Sequence, residues 1–119
     1  ENVTLIDRAP FGSILSRASI FVTNGGFGGV NSALSNGVPL IIAGRSDDKG
    51  EVAARVDWFN VGINLGTPQP KAKAIRQAVK KILKKNSVYS RKGRLMQAKI
   101  AKMNTPVLAL EQIEKLLNV

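Results

Sequence analysis

Residues 19–56 read S-I-F-V-T-N-G-G-F-G-G-V-N-S-A-L-S-N-G-V-P-L-I-I-A-G-R-S-D-D-K-G-E-V-A-A-R-V. The run Ile20-Phe21-Val22 predicts a buried strand. Gly25, Gly26, Gly28 and Gly29, broken only by Phe27, allow a tight turn and a close approach of backbone to a ligand. Val30, Ala33 and Leu34 recur at i, i+3, i+4 and predict a helix that starts near Gly28. Asn36-Gly37 ends that helix, with Gly suited to the left-handed cap. Pro39 and Leu40-Ile41-Ile42 begin a second strand. A strand, a glycine turn and a helix together suit an anion, because unpaired N–H groups and the positive end of the helix dipole point outward. The same turn occurs in α/β folds that bind nothing there. G-G-F-G-G is neither G-x-G-x-x-G nor the phosphate loop of nucleotide hydrolases.

Working outward, Val3–Ile6 predicts a first strand. Pro10-Phe11-Gly12 punctuates it, and Ser13–Arg17 suits a short helix with Ile14 and Leu15 inward. Downstream, Asp48 with Glu51 three residues on resembles a capping box at the start of a helix over 51–59. Val52, Val56 and Phe59 share one side of that helix, and Trp58 is read as a packing residue. Val61–Leu65 predicts a further strand. Ile75, Ala78, Val79, Ile82 and Leu83 mark an amphipathic helix with lysines outward. A helix over about 88–103 is expected to bury Tyr89, Leu95, Met96 and Ile100. Pro106 opens a last helix, whose Leu110, Ile113, Leu116 and Leu117 form an apolar stripe. The fold class is α/β, a Rossmann-like parallel sheet of about four strands with flanking helices and a helical C-terminal region.

The 119 residues hold one domain at most, without cysteine or histidine. Disulfide, thiolate and imidazole chemistry are therefore excluded within this chain, and no metal site is expected. Absence of cysteine fits a reducing, cytoplasmic setting. No apolar run approaches the length of a membrane span. The Asn2-Val3-Thr4 triplet matches a glycosylation acceptor, a pattern frequent by chance.

Charge is divided unevenly. From Lys71 onward there are 13 Lys or Arg against Glu111 and Glu114, a net +11; residues 1–70 carry five against six, a net −1; together they make the +10 of the chain. A basic half invites a nucleic-acid reading. Tyr89 is the one aromatic residue there, so stacking platforms for bases are lacking. A solvated lysine face is the plainer reading.

The order F-V-T-N-G-G-F-G-G-V-N-S-A-L-S-N-G-V-P-L-I-I-A-G, then D-K-G-E-V-A-A-R-V, closely resembles the donor-binding segment of UDP-glycosyltransferases. The resemblance covers most of residues 1–83, including I-D-R-A-P-F upstream and V-G-I-N-L downstream. It implies half of a GT-B fold: a single C-terminal donor-binding domain over 1–119, with a Rossmann-like core at 1–83 and C-terminal helices at 84–119. It also implies that the chain, which opens at Glu1, is a piece of a longer protein. The implied parent is an inverting enzyme that moves a sugar, glucose above all, from UDP to a hydroxyl of a lipophilic acceptor. An N-terminal domain would bind that acceptor and supply the attacking base, a histidine.

Carried over by position, the UDP-sugar would meet Phe11, Asn24, Gly25, Gly26, Phe27, Gly28, Gly29, Ser32, Asp48 and Lys49. Phe11 and the Arg8-Ala9 backbone would lie beside the uracil. Asn24 would donate to a phosphate oxygen, and Gly28 and Gly29 would present N–H groups to the diphosphate. Ser32 stands where relatives often hold the ribose with Glu. Asp48 would accept from sugar hydroxyls, with Lys49 in the place of a Gln. No cofactor is implied, the UDP-sugar being a substrate. Where relatives often carry His, Ser or Thr, Glu and Gln, this chain has Asn24, Gly29, Ser32 and Lys49. Those departures keep open a non-catalytic binding module, and the basic half keeps open a nucleic-acid binder.

Overall fold

The computed structural model describes residues 2–118 of the chain. Its elements are α1 (Phe11–Leu15), β1 (Phe21–Thr23), α2 (Phe27–Ser35), β2 (Leu40–Ile42), α3 (Lys49–Trp58), β3 (Gly62–Asn64), α4 (Ala72–Leu83), α5 (Val88–Ala101) and α6 (Thr105–Leu117). The strands form one parallel sheet in the order β1-β2-β3, with Phe21 opposite Leu40 and Leu40 opposite Gly62.

The central strand explains the layering. Leu40, Ile41 and Ile42 are all fully buried, as an unbroken apolar run in a parallel sheet demands. Side chains alternate across the sheet. Leu40 and Ile42 therefore join Val30, Ala33, Ala53 and Val56 on the face covered by α2 and α3. Ile41 points the other way, onto Ala78 and Ile82 of α4. Each large side chain buried this way contributes about 1.5–3 kcal/mol. Helix α5 closes one end of the body against α2 and α4. Its N-cap is Ser87, whose hydroxyl accepts from the N–H of Tyr89 at 3.2 Å.

Several expectations are corrected. Three strands form among the described residues, not four. Residues 3–6 make no strand, and Val3, Leu5 and Ile6 are exposed. Their β-branched content suits a pleated surface, but strand structure also needs a pairing partner, and they pair with none of β1–β3. Helix α1 begins at Phe11 and turns only Leu15 inward, while Ile14 is exposed. Trp58, Phe59 and Leu95 lie on the surface. For the two residues on α3 and its C-cap, the buried side is already taken by Ala53 and Val56. Leu95 lines an open groove beside Phe59 and Val61 and stays half exposed there.

Candidate functional site

The carboxyl ends of parallel strands are where open α/β sheets bind ligands, and the glycine loop lies at that edge. Gly25 has φ +93°, a left-handed conformation open to glycine, and a Cβ there would stand 2.8 Å from Cγ2 of Ile42. The turn is held by its own side chains. The N–H of Gly25 donates to Oγ1 of Thr23 and that of Gly26 to Oδ1 of Asn24, both at 3.3 Å. Gly26 is the N-cap, and α2 starts at Phe27, one residue before the expected Gly28. The carbonyl of Gly26 receives the N–H of Val30 at 3.0 Å. The N–H groups of Phe27, Gly28 and Gly29 belong to the first turn and have no partner within the helix.

The two glycines in the first turn of α2 differ. A Cβ at Gly28 would meet nothing within 4 Å, whereas one at Gly29 would touch the Phe21 ring at 3.5 Å. That ring meets Phe11 edge-on, with centroids 5.7 Å apart and planes at 73°. Phe11 is thus tied to the start of α2 through Phe21, and half of its surface is open, at 47%.

Ser32 follows Gly28 by one turn, and its hydroxyl donates to the Gly28 carbonyl at 2.9 Å. Its oxygen retains a lone pair for an incoming donor.

Asp48 is the N-cap of α3, as expected, but the capping box does not form. Its backbone is in the right-handed helical region (φ −77°, ψ −9°) and its carboxylate makes no cap bond. A capping side chain needs extended backbone to reach back to the first-turn N–H groups, which Asp48 lacks. Glu51 turns instead to Arg55, one turn along α3. Asp48 is one of the residues that line an open cavity of about 380 Å³ between α2 and α3. Phe27 and Asn31 line its α2 side, and Val30, Leu34, Val52 and Val56 supply apolar surface. Lys49 is four-fifths buried, its Nζ 3.6 Å from Oδ2 of Asp47 and 3.5 Å from Oγ of Ser46. Its Cβ lies where a Cβ on Gly25 would be 3.7 Å away.

Of the residues expected at the site, Phe27 and Asp48 share this cavity. Asn24, Gly25 and Lys49 meet at the loop behind it, and Phe11 and Ser32 flank the α2 terminus. One position escaped the sequence reading. Gly44 follows β2 as the glycine loop follows β1, and a Cβ there would lie 1.9 Å from the carbonyl oxygen of Asn24. The β2–α3 loop can press against the β1–α2 loop only because residue 44 has no side chain. The signal was present as a glycine directly after an apolar strand, at Ala43-Gly44.

Residues 1–116 match the family model of the erythromycin biosynthesis protein CIII-like C-terminal domain. The chain belongs to the glycosyltransferases of the GT-B fold, as their C-terminal domain. UDP-glucosyltransferase 1 of Beauveria bassiana is 40% identical over 115 residues, 97% of this chain and 24% of that protein. The 4'-demethylrebeccamycin synthase of Lentzea aerocolonigenes is 43% identical over 82 residues, 69% of this chain and 20% of the relative. The chain therefore spans about a fifth to a quarter of the curated relatives that it matches.

Among solved structures, spinosyn forosaminyltransferase SpnP superposes on the whole of this glycosyltransferase domain with a TM-score of 0.87, at 22% identity and 32% of its own chain. Glycosyltransferase VinC, solved in complex with dTDP, covers 97% of the domain at a TM-score of 0.85 and 20% identity, with 29% of its own chain matched. At these identities the likeness establishes the fold. Within GT-B enzymes the C-terminal domain is the one that binds the nucleotide sugar. Among the described residues no helix is long and apolar enough to cross a membrane, and no cluster of three His, Cys, Asp or Glu could hold a metal ion.

Proposed function

We propose that this domain binds the donor of an inverting, cytoplasmic UDP-glycosyltransferase that moves glucose to a hydroxyl of a lipophilic acceptor. The observation that carries the reading is the start of α2. Three N–H groups without helical partners, those of Phe27, Gly28 and Gly29, stand at the carboxyl edge of the sheet, with open space above Gly28. The similarity to UDP-glucosyltransferase 1 of Beauveria bassiana supports UDP-glucose as the donor.

The work of the domain is electrostatic. A departing UDP gains negative charge on its diphosphate. The α2 N-terminus stabilises that charge by about 0.3–1 kcal/mol through the helix dipole, and by more where the site is partly buried. Asn24 keeps its side-chain N–H₂ for a phosphate oxygen while its Oδ1 holds the turn. The carboxylate of Asp48, unused as a cap, accepts from sugar hydroxyls beside Lys49. Phe11 packs near the base, and the Ser32 oxygen accepts from the ribose. No cofactor takes part. The attacking base and the acceptor pocket belong to an N-terminal domain, so the 119-residue chain, which has no histidine, transfers no sugar by itself.

The lysine-rich half is a solvated face and not a nucleic-acid surface. Its one aromatic ring, Tyr89, is already covered by Lys81, with Nζ 5.9 Å from the ring centroid. Duplex DNA is expected to bind weakly and to release steeply with salt.

Calorimetric titration tests the assignment. UDP should bind and uridine should bind far more weakly. Gly28→Val should abolish UDP binding with an unchanged melting temperature, since a Cβ there meets no protein atom. If the Gly28→Val protein binds UDP like the parent, the loop is only a turn and the reading fails.

A further inference from the structure

Among the described residues, Asp47, Asn60, Asn86 and Asn118 have a positive φ without being glycine. Three of them close helices. Asn60 follows α3, Asn86 follows α4 and Asn118 is the C-cap of α6, where a left-handed residue ordinarily ends a helix. Asp47 stands before a helix and closes none. Its φ of 54° is disfavoured for any residue with a Cβ, though least so for Asn and Asp. Such a conformation persists only where the surrounding structure imposes it.

The loop between β2 and α3 imposes it by being fixed at both ends. At its start, the N–H of Ala43 donates to the Thr23 carbonyl at 2.9 Å. Gly44 lies against the Asn24 carbonyl, with no room for a Cβ. At its end, the Asp48 carbonyl accepts the N–H of Val52 at 3.0 Å in the first turn of α3. Residues 45–47 must join the two within a tight turn, closed by the N–H of Lys49 donating to the Ser46 carbonyl at 3.0 Å. Asp47 and Asp48 are its central residues. A positive φ at the first and right-handed angles at the second (φ −77°, ψ −9° at Asp48) follow the run of a type II′ turn.

This turn decides what Asp48 can do. With its backbone in the right-handed region, Asp48 cannot reach back to the first-turn N–H groups, and its carboxylate makes no cap bond. The Asp47 side chain contributes less. Its Oδ2 is 3.6 Å from Nζ of Lys49, but the side chain is 82% exposed, and water screens such a pair. We propose that Asp47 is a positioning residue of the donor site: its left-handed backbone holds Asp48 in the conformation that frees the carboxylate for the sugar of the donor. The role rests on the donor-site reading above and extends it to a residue that itself touches no ligand.

Calorimetry of the 119-residue chain with UDP-glucose and with UDP tests it. Asp47→Val puts a β-branched residue where φ is positive, the least tolerated choice. It should weaken UDP-glucose by about fivefold or more and leave UDP unchanged. Asp47→Gly accepts the turn without the carboxylate, and should restore the UDP-glucose affinity that Asp47→Val loses. Because Asp47 acts through Asp48, adding Asp48→Ala to the Asp47→Val protein should cost little more, a non-additivity that general destabilisation does not produce. Without ligand, the Lys49 amide should exchange with solvent faster in Asp47→Val and not in Asp47→Gly. An Asp47→Val protein that binds UDP-glucose like the parent would overturn the proposal. So would an Asp47→Gly protein that loses as much as Asp47→Val, since the carboxylate would then be the contact. Equal losses for UDP and UDP-glucose, or full additivity with Asp48→Ala, would overturn it too. A parent that binds no UDP would overturn the donor-site reading itself, and the role of Asp47 with it.

Discussion

Helices α2 and α6 carry the same kind of pattern and meet opposite fates. Each has an apolar stripe at helical spacing, and each is opened by a side-chain or turn cap, through Asn24 before α2 and Asn104 before α6. Yet Val30 and Ala33 of α2 are buried, and nothing on α6 is. The difference lies in the connections. α2 joins two neighbouring parallel strands, and a crossover between them must lie against the sheet. α6 follows α5 through Lys102–Asn104, and among the described residues it connects no two strands of the sheet. A periodic stripe states which side of a helix avoids water. Whether a surface stands ready to receive it depends on what the chain does before and after.

Substitutions test this contrast. Ile42→Ala, in the sheet that α2 covers, should lower the unfolding free energy by about 2–5 kcal/mol, since a fully buried side chain leaves a cavity. Urea unfolding measures it, and a loss under 1 kcal/mol would mean that the sheet is not the core. Gly44→Ala should cost about 1–3 kcal/mol, because its Cβ would collide with the Asn24 carbonyl. It should also weaken UDP binding, as the glycine loop is pushed aside. Unchanged stability and affinity would show that the two loops do not press on one another.

Smaller effects are expected farther from the sheet. Ser87→Ala removes the N-cap bond of α5 and should cost about 1 kcal/mol. Asp48→Ala removes no cap bond, so stability should hold within about 0.5 kcal/mol. Affinity should fall for UDP-glucose and not for UDP, and an equal fall for both would remove Asp48 from the sugar. Leu110→Ala should change unfolding least, by less than about 0.5 kcal/mol. A large loss there would show α6 packed on its own body and would erase the contrast with α2.

Much of the site could be read from the chain because its parts are local. The turn at Asn24–Gly26, the start of α2 within one residue and the stop at Gly37, with φ +69°, follow from residues next to one another. The cavity beside Asp48 was less legible. Its walls come from α2 and α3, and its carboxylate is free only because the backbone at residue 48 is helical. The close approach of Gly44 to Asn24 joins residues twenty apart, and no local pattern specifies it.

Residue order was enough to specify the alternation of strand and helix, the central place of Leu40–Ile42 and the anion-suited turn before α2. It did so because hydrophobic period and glycine chemistry act over a few residues. Contacts between segments decided that residues 3–6 form no strand, that Trp58 and Leu95 face water, that Asp48 makes no cap bond and that α6 is exposed among the described residues. Each of those depends on whether a partner surface lies within reach. Burial and pairing are properties of two segments at once, and one segment's residues state only half of them.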